Sequence, residues 1–246
     1  PITGDLEGKY RCREDFIHWL AGTQEIPGIV KYGTLDEGVA SVYFSYHGRI
    51  AWQKGLDTLE KAARLVLDHN DDARFVILGQ GDPVLESLFV KLSRRYAGRL
   101  AFINGYERTL ARTAVAISDF IVLPSMFEPC GLEDFIAQIF GTIPIAHSVG
   151  GLKKIEDGVT GFLYQSSAGD NDSALLARLM LDLAIPFAHG GGKGEEYAYG
   201  SGSAAIPRYR SIVQHAASRV QAISDWDSIV ADEYLPLYKK IISGMA

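Results

Sequence analysis

Two cations stand five residues apart in His47-Gly-Arg-Ile-Ala-Trp-Gln-Lys-Gly55: Arg49 and Lys54, across a turn with glycines near both ends. Arginine offers a planar fork of donors and lysine a mobile point charge, a pairing suited to a diphosphate. The plain alternative is a solvated loop with two surface cations, and this stretch alone does not separate the two. A second stretch, Phe127-Glu-Pro-Cys-Gly131, leads directly into a helical pattern over residues 131–140, which Gly131 opens. The first free N–H groups of a helix form an anion site. Glu128 lies just before it, either as an acid of that site or as a turn acid supporting the helix dipole. Cys130 reads as packing, because nothing beside it would serve as a base for its thiol.

Weaker signals accompany these. Leu78-Gly-Gln-Gly-Asp82 is too short for the dinucleotide fingerprint and reads as a tight strand-to-helix turn, with Asp82 and Pro83 starting the helix. Asn104-Gly-Tyr106 puts an aromatic ring beyond a strand end, to stack on a base or to be partly buried. Gly150-Gly151 permits either close backbone approach or a turn. The six histidines show no metal-ligand spacing, and His47 reads as a loop residue.

Such groups need a frame. From about Ser41 short apolar runs alternate with helical patterns. Strands are expected at 41–46, 74–78, 100–103, 120–123, 143–146 and 160–164. Helices are expected after Gly55 (apolar Leu56, Leu59, Ala63 and Val66), at 83–96, at 107–117 and at 131–140. This alternation means a parallel sheet with helices on both faces. Ligands bind such sheets beyond the carboxyl ends of the strands, and the informative polar residues fall in those loops. The tail reads as a glycine-rich loop over 188–206, then helices at 207–223 and 226–242, the second kinked or broken at Pro236. Residues 1–38 are polar and turn-rich around a helical patch near Arg11–Leu20, with no job assignable to them.

The chain has 246 residues, 47% hydrophobic and 22% charged, with a formal charge of −6. An acidic balance without long basic runs argues against a nucleic-acid partner. No apolar stretch approaches the ~20 residues of a membrane helix, and no signal peptide is visible. Two cysteines, Cys12 and Cys130, form neither a metal-ligand spacing nor a disulfide framework, which suits a reducing, cytoplasmic setting, or a plastid in a plant. The sequence opens at Pro1 rather than Met, as an excised or processed fragment would.

Together these stretches resemble the glycogen and starch synthases, and more broadly the retaining transferases of the GT-B fold. The likeness runs from about Tyr43 to Tyr164, with an echo of the family's closing helix in Trp226–Tyr238. It is carried, in order and at matching spacing, by Gly48-Arg-Ile-Ala-Trp-Gln-Lys-Gly55, Leu78-Gly-Gln-Gly-Asp-Pro83, Gly105-Tyr106, Phe127-Glu-Pro-Cys-Gly-Leu132, Gly141-Thr-Ile-Pro-Ile145 and Gly150-Gly-Leu152. The resemblance implies an α/β, Rossmann-like domain over 1–246, its core at about 39–165, forming the C-terminal half of a GT-B fold whose acceptor-binding N-terminal domain is absent.

It also implies roles. Arg49 and Lys54 match the pair that holds the donor's diphosphate as it leaves. Glu128 matches the acid beside the donor sugar, Tyr106 the aromatic that stacks on the base, and the Cys130–Glu133 stretch the backbone that binds phosphate. The donor would be ADP-glucose or UDP-glucose, the acceptor the end of an α-1,4-glucan reached through the missing domain. No metal or other cofactor is expected, since fixed cations and the helix dipole take up the charge. The sequence departs from the family in two places. Glu133 and Asp134 stand where Thr or Asn and then Gln are usual, and Val149 and Lys154-Ile155 replace a Thr and an Asp–Thr. If the two acids face the phosphates, repulsion of about 1–4 kcal/mol per close pair would weaken donor binding; if they point outward it would not. The alternatives are a non-catalytic glucan- or partner-binding module, and another GT-B transferase using a UDP- or GDP-sugar.

Overall fold

The strands in the middle of the chain are apolar on both faces, as a sheet covered on each side requires. β2 (Val42–His47), β3 (Ala73–Gly79) and β5 (Phe120–Leu123) are buried at every position. The computed structural model describes residues 6–36, 41–166, 171–188, 209–224 and 226–244. Its sheet also contains β1 (Val30–Leu35), β4 (Arg99–Asn104), β6 (Ile143–His147) and β7 (Phe162–Tyr164), in the order β1-β4-β3-β2-β5-β6-β7. Every pairing is parallel except β1 with β4. From β2 the chain proceeds outward through β3 and β4, then returns to β5 and proceeds the other way, so the order reverses between β2 and β5.

Alternation along the strands sorts the helices. Val42, Phe44 and Tyr46 face a cluster with α2 (Leu56–His69), α3 (Pro83–Arg95), α6 (Asp172–Ala188) and the start of α7 (Tyr209–Ser224). Tyr43 faces the other side, with α1 (Glu7–Ala21) and α4 (Arg108–Ile117); α5 (Glu133–Ile139) continues that layer over β5 and β6. Phe75, Phe44 and Phe120 stack across three adjacent strands, with centroids 5.2 and 5.5 Å apart. Asp82 caps α3 through the N–H groups of Val84 and Leu85, and Glu107 caps α4 through those of Thr109 and Leu110.

The opening segment has a job after all. Lys9 of α1 is buried and donates to Ala116 O (2.8 Å), Ser118 O and Thr142 Oγ1 (2.9 Å). Arg13 donates to Ile117 O and reaches Asp119 at 3.1 Å. These cations hold the carbonyls at the C-terminal end of α4, which a helix leaves unsatisfied. β1 then closes one sheet edge as an antiparallel strand; its Gly33 sits at φ +77, where an added Cβ would meet Leu100 O at 2.2 Å.

Two tail readings change. Residues 166–206 held no expected helix, yet α6 occupies 172–188 and packs on α2; the glycine-rich stretch beyond it lies outside the described residues. At Pro236, where a kink or a break is expected, the helix continues and is distorted just before the proline. Helix α8 (Trp226–Ile229) passes through a π-turn (Val230–Tyr234) into α9 (Leu235–Gly244), with Leu235 N–H bonded to Val230 O five residues back. Proline lacks an N–H and crowds the carbonyl four residues before it, and the wider turn just ahead accommodates that crowding. Among the described residues no helix is long and apolar enough to cross a membrane.

Candidate active site

A pocket of about 210 Å³ opens at the carboxyl ends of β2 and β5, where the strand order reverses. Tyr46, His47, Gly48, Arg49 and Lys54 line it from the β2 side. Leu123, Ser125, Glu128, Gly131, Leu132 and Glu133 line it from the β5 side, with Leu152 behind them.

Local structure puts Lys54 there. A short 3-10 turn (Trp52–Lys54) ends at Gly55, which adopts φ +68 and serves as the N-cap of α2. A Cβ on Gly55 would lie 2.0 Å from Pro124 O, so the loop after β2 rests directly on the loop after β5. Met126 N–H completes that contact by donating to Gln53 O at 3.0 Å. Lys54 Nζ thereby meets Glu128 Oε2 at 2.5 Å, and Ser125 Oγ donates to the same oxygen at 3.3 Å. Tyr46 holds the backbone beside Arg49, its hydroxyl donating to Arg49 O at 2.8 Å; burial pushes this phenol upward, so it stays a donor. On its far side the loop is fastened to the β3–α3 turn: Ile50 pairs with Gly81, and Trp52 Nε1 donates to Asp82 at 2.9 Å.

The opposite wall is built from two backbones in contact. Gly151 N–H donates to Glu128 O at 2.8 Å. Cβ atoms on Gly150 and Gly151 would lie 2.1 Å from Glu128 O and 2.0 Å from Cys130 O. Both readings of the glycine pair hold: the glycines open a 3-10 turn (Gly150–Lys154), Gly150 at φ +47, and their backbone closely approaches the Glu128 loop.

Several sequence readings need correction. His47 is not a loop residue: it ends β2, is buried, and places Nε2 2.9 Å from Glu133 Oε2, although the alignment is poor for a hydrogen bond. Cys130 is exposed rather than packed. Its carbonyl, not its thiol, is engaged, by Lys154 Nζ at 2.8 Å. The helix opens at Glu133, two residues after Gly131, which takes φ +67 in the approach. The two acids differ in fate. Glu133 lines the pocket but is held by His47 and by Arg112 Nη1 at 3.4 Å. Burial pushes its carboxyl up, and those two partners outweigh burial, leaving it below the ordinary range. Asp134 faces inward: its side chain is 0% exposed and lies 3.1 Å from Lys154 Nζ. Burial raises its carboxyl against the pull of Lys154.

Arg49, Lys54, Glu128, Gly131, Leu132 and Glu133 thus come together, while Tyr106 and Cys130 do not line the pocket. Tyr106 is 65% exposed after β4, two strands from β2 and so roughly 10 Å along the sheet.

Residues 41–184 match the family profile described as glycosyl transferases group 1. The chain belongs to that family. The chain is 35% identical over 170 residues to the glycogen synthase of Xanthomonas campestris pv. campestris (strain 8004), a match covering 69% of the chain and 35% of the relative. It therefore spans about a third of the length of that curated relative. Its fold is similar to the catalytic domain of starch synthase IV from Arabidopsis thaliana bound to ADP and acarbose: TM-score 0.66, 22% identity, 97% of this chain and 44% of that one. It is also similar to Anabaena Alr3699/HepE in complex with UDP and glucose: TM-score 0.58, 16% identity, 81% of this chain and 49% of that one. The chain thus has a Rossmann-like fold similar to that of GT-B glycosyltransferases. Nothing local in the sequence marks Arg112 and Lys154 as partners of Glu133 and Asp134, although Lys154 stands out there as a departure from the pattern the chain resembles.

Proposed function

We propose that this domain binds the donor of a glycogen- or starch-synthase-like transferase, which moves glucose from ADP-glucose to the end of an α-1,4-glucan with retention. The observation that carries this reading is the meeting of Lys54 and Glu128 at 2.5 Å, with Arg49, in one pocket at the switch point. When the bond from the anomeric carbon to phosphate breaks, negative charge grows on the diphosphate and positive charge on the sugar. Arg49 and Lys54 are the groups to stabilise the first, and Glu128 the second. A nucleoside diphosphate extending from this pocket along the strand ends would reach towards Tyr106, which would stack on the base. The glucan end arrives from the rest of the protein, so this chain alone binds nucleotide and transfers no sugar.

The anchoring of Glu133 and Asp134 supports this reading over a non-catalytic module, because neither acid is left free to repel a phosphate. The fold likeness to Anabaena Alr3699/HepE, solved with UDP and glucose, keeps a uridine donor as the second reading. Calorimetric titration with ADP, UDP, GDP and ADP-glucose tests both. Binding of ADP and ADP-glucose in preference to the others is expected. A folded sample that binds no nucleotide, as wild type and as Glu133→Thr, would sink the donor-site reading in favour of the module.

A further inference from the structure

The loop carrying Glu128 has its carbonyls turned to one side. Glu128 O accepts from Gly151 N–H, and Cys130 O and Gly131 O both accept from Lys154 Nζ. All three acceptors therefore face the short Gly150–Lys154 segment. A planar trans peptide points its N–H opposite to its C=O. Holding Cys130 O and Gly131 O on one ammonium thus turns the N–H groups of Gly131 and Leu132 away from Lys154. Both of these residues line the pocket.

The backbone angles agree. Gly131 is left-handed at φ +67, and Leu132 is right-handed at φ −107, ψ −21. Such a succession makes neighbouring N–H groups converge into an anion-binding concavity. Neither N–H has an acceptor among the described residues. Lys154 is itself fixed, by the buried Asp134 carboxylate at 3.1 Å and by the Phe135 ring 4.1 Å below its Nζ. The family departures at Asp134 and Lys154 are thus one feature, a matched pair in direct contact.

We propose that Lys154, with Asp134 as its buried counter-charge, is a positioning residue for the donor diphosphate: it aims the N–H groups of Gly131 and Leu132 without touching the donor. This rests on the donor-site reading above. A lysine that only stabilised the fold would leave the selectivity for phosphate unchanged.

The test compares ADP and adenosine binding, by titration followed on amide NMR signals, for wild type, Lys154→Met, Lys154→Arg and Lys154→Met/Asp134→Leu. The double variant removes the buried Asp134 charge along with its partner and so keeps a folded sample available should Lys154→Met alone be unstable. The expected result is ADP affinity about tenfold weaker in both methionine variants, with adenosine affinity unchanged. Lys154→Arg, which can still bridge two carbonyls, should recover to within about threefold of wild type. Equal ADP affinity in wild type and the methionine variants overturns the proposal, as does a parallel loss for ADP and adenosine. Failure of folded wild type to bind ADP overturns the donor-site reading, and this inference falls with it.

Discussion

Lys54 and Glu128 are 74 residues apart in sequence yet share one contact, and their variants should separate binding from chemistry. Lys54→Ala should weaken ADP binding about 10- to 100-fold, the worth of a charge-assisted bond to phosphate, as read by calorimetry. Glu128→Gln should keep ADP affinity within about threefold, while abolishing glucose transfer in the intact enzyme. Glu133 gives a pH signature. Its carboxyl is lower in the folded chain than in the unfolded one, so its pairing with His47 and Arg112 is fully present above the ordinary glutamate range. That contribution fades as the pH falls through the depressed value, and urea midpoints between pH 3 and 6 should lose it in Glu133→Gln. Residue types in loops mark Arg49, Lys54 and Glu128 as candidates, and the fold brings the three to one pocket. The partners of Glu133 and Asp134 were not legible. His47, Arg112 and Lys154 reach them only through the crossing of strands and helices, and nothing local marks such a meeting.

The strands and helices from β2 to β7 were readable because short apolar runs alternate there with period-3.6 patterns. The antiparallel β1 was not: Val30-Lys-Tyr-Gly-Thr-Leu35 is interrupted by glycine and mostly half-exposed, as an edge strand tolerates. The purpose of α1 was equally hidden, since nothing local distinguishes Lys9 and Arg13 from surface cations until α4 is placed beside them. Lys9→Met should destabilise the fold by about 2–4 kcal/mol, measured by urea unfolding, because the oxygens of Ala116, Ser118 and Thr142 lose their shared donor. Gly151→Ala tests the contact between segments. Its Cβ would lie 2.0 Å from Cys130 O, so the Glu128 loop must move, and ADP affinity should fall at least fivefold with the overall fold retained.

At the scale of the molecule, one sheet is held by three clusters of buried side chains, with the Phe75–Phe44–Phe120 stack near its centre. Phe44→Ala should cost about 3–5 kcal/mol, seen as a lowered Tm. That core makes a stable frame and puts the pocket at its switch point. The chain spans about a third of the length of its curated relative, and on the proposed donor-site reading it should by itself incorporate no radiolabelled glucose into glycogen.

The grip of Lys9 on Thr142 joins positions 133 residues apart, and this makes it an event in time as well as in space. Closing so long a loop is entropically unfavourable, and the atoms that Lys9 needs exist only after α4 and the start of β6 have assembled. The clamp should therefore be absent from the folding transition state: Lys9→Met should speed unfolding and leave refolding within about twofold, as read by stopped-flow kinetics. On a ribosome adding roughly 5–20 residues per second, Thr142 follows Lys9 by about 7 to 27 seconds. For most of that interval, until Ala116 and Ser118 are made, α1 carries an ammonium with nowhere to dock, and a nascent chain halted before Thr142 lacks the completed clamp.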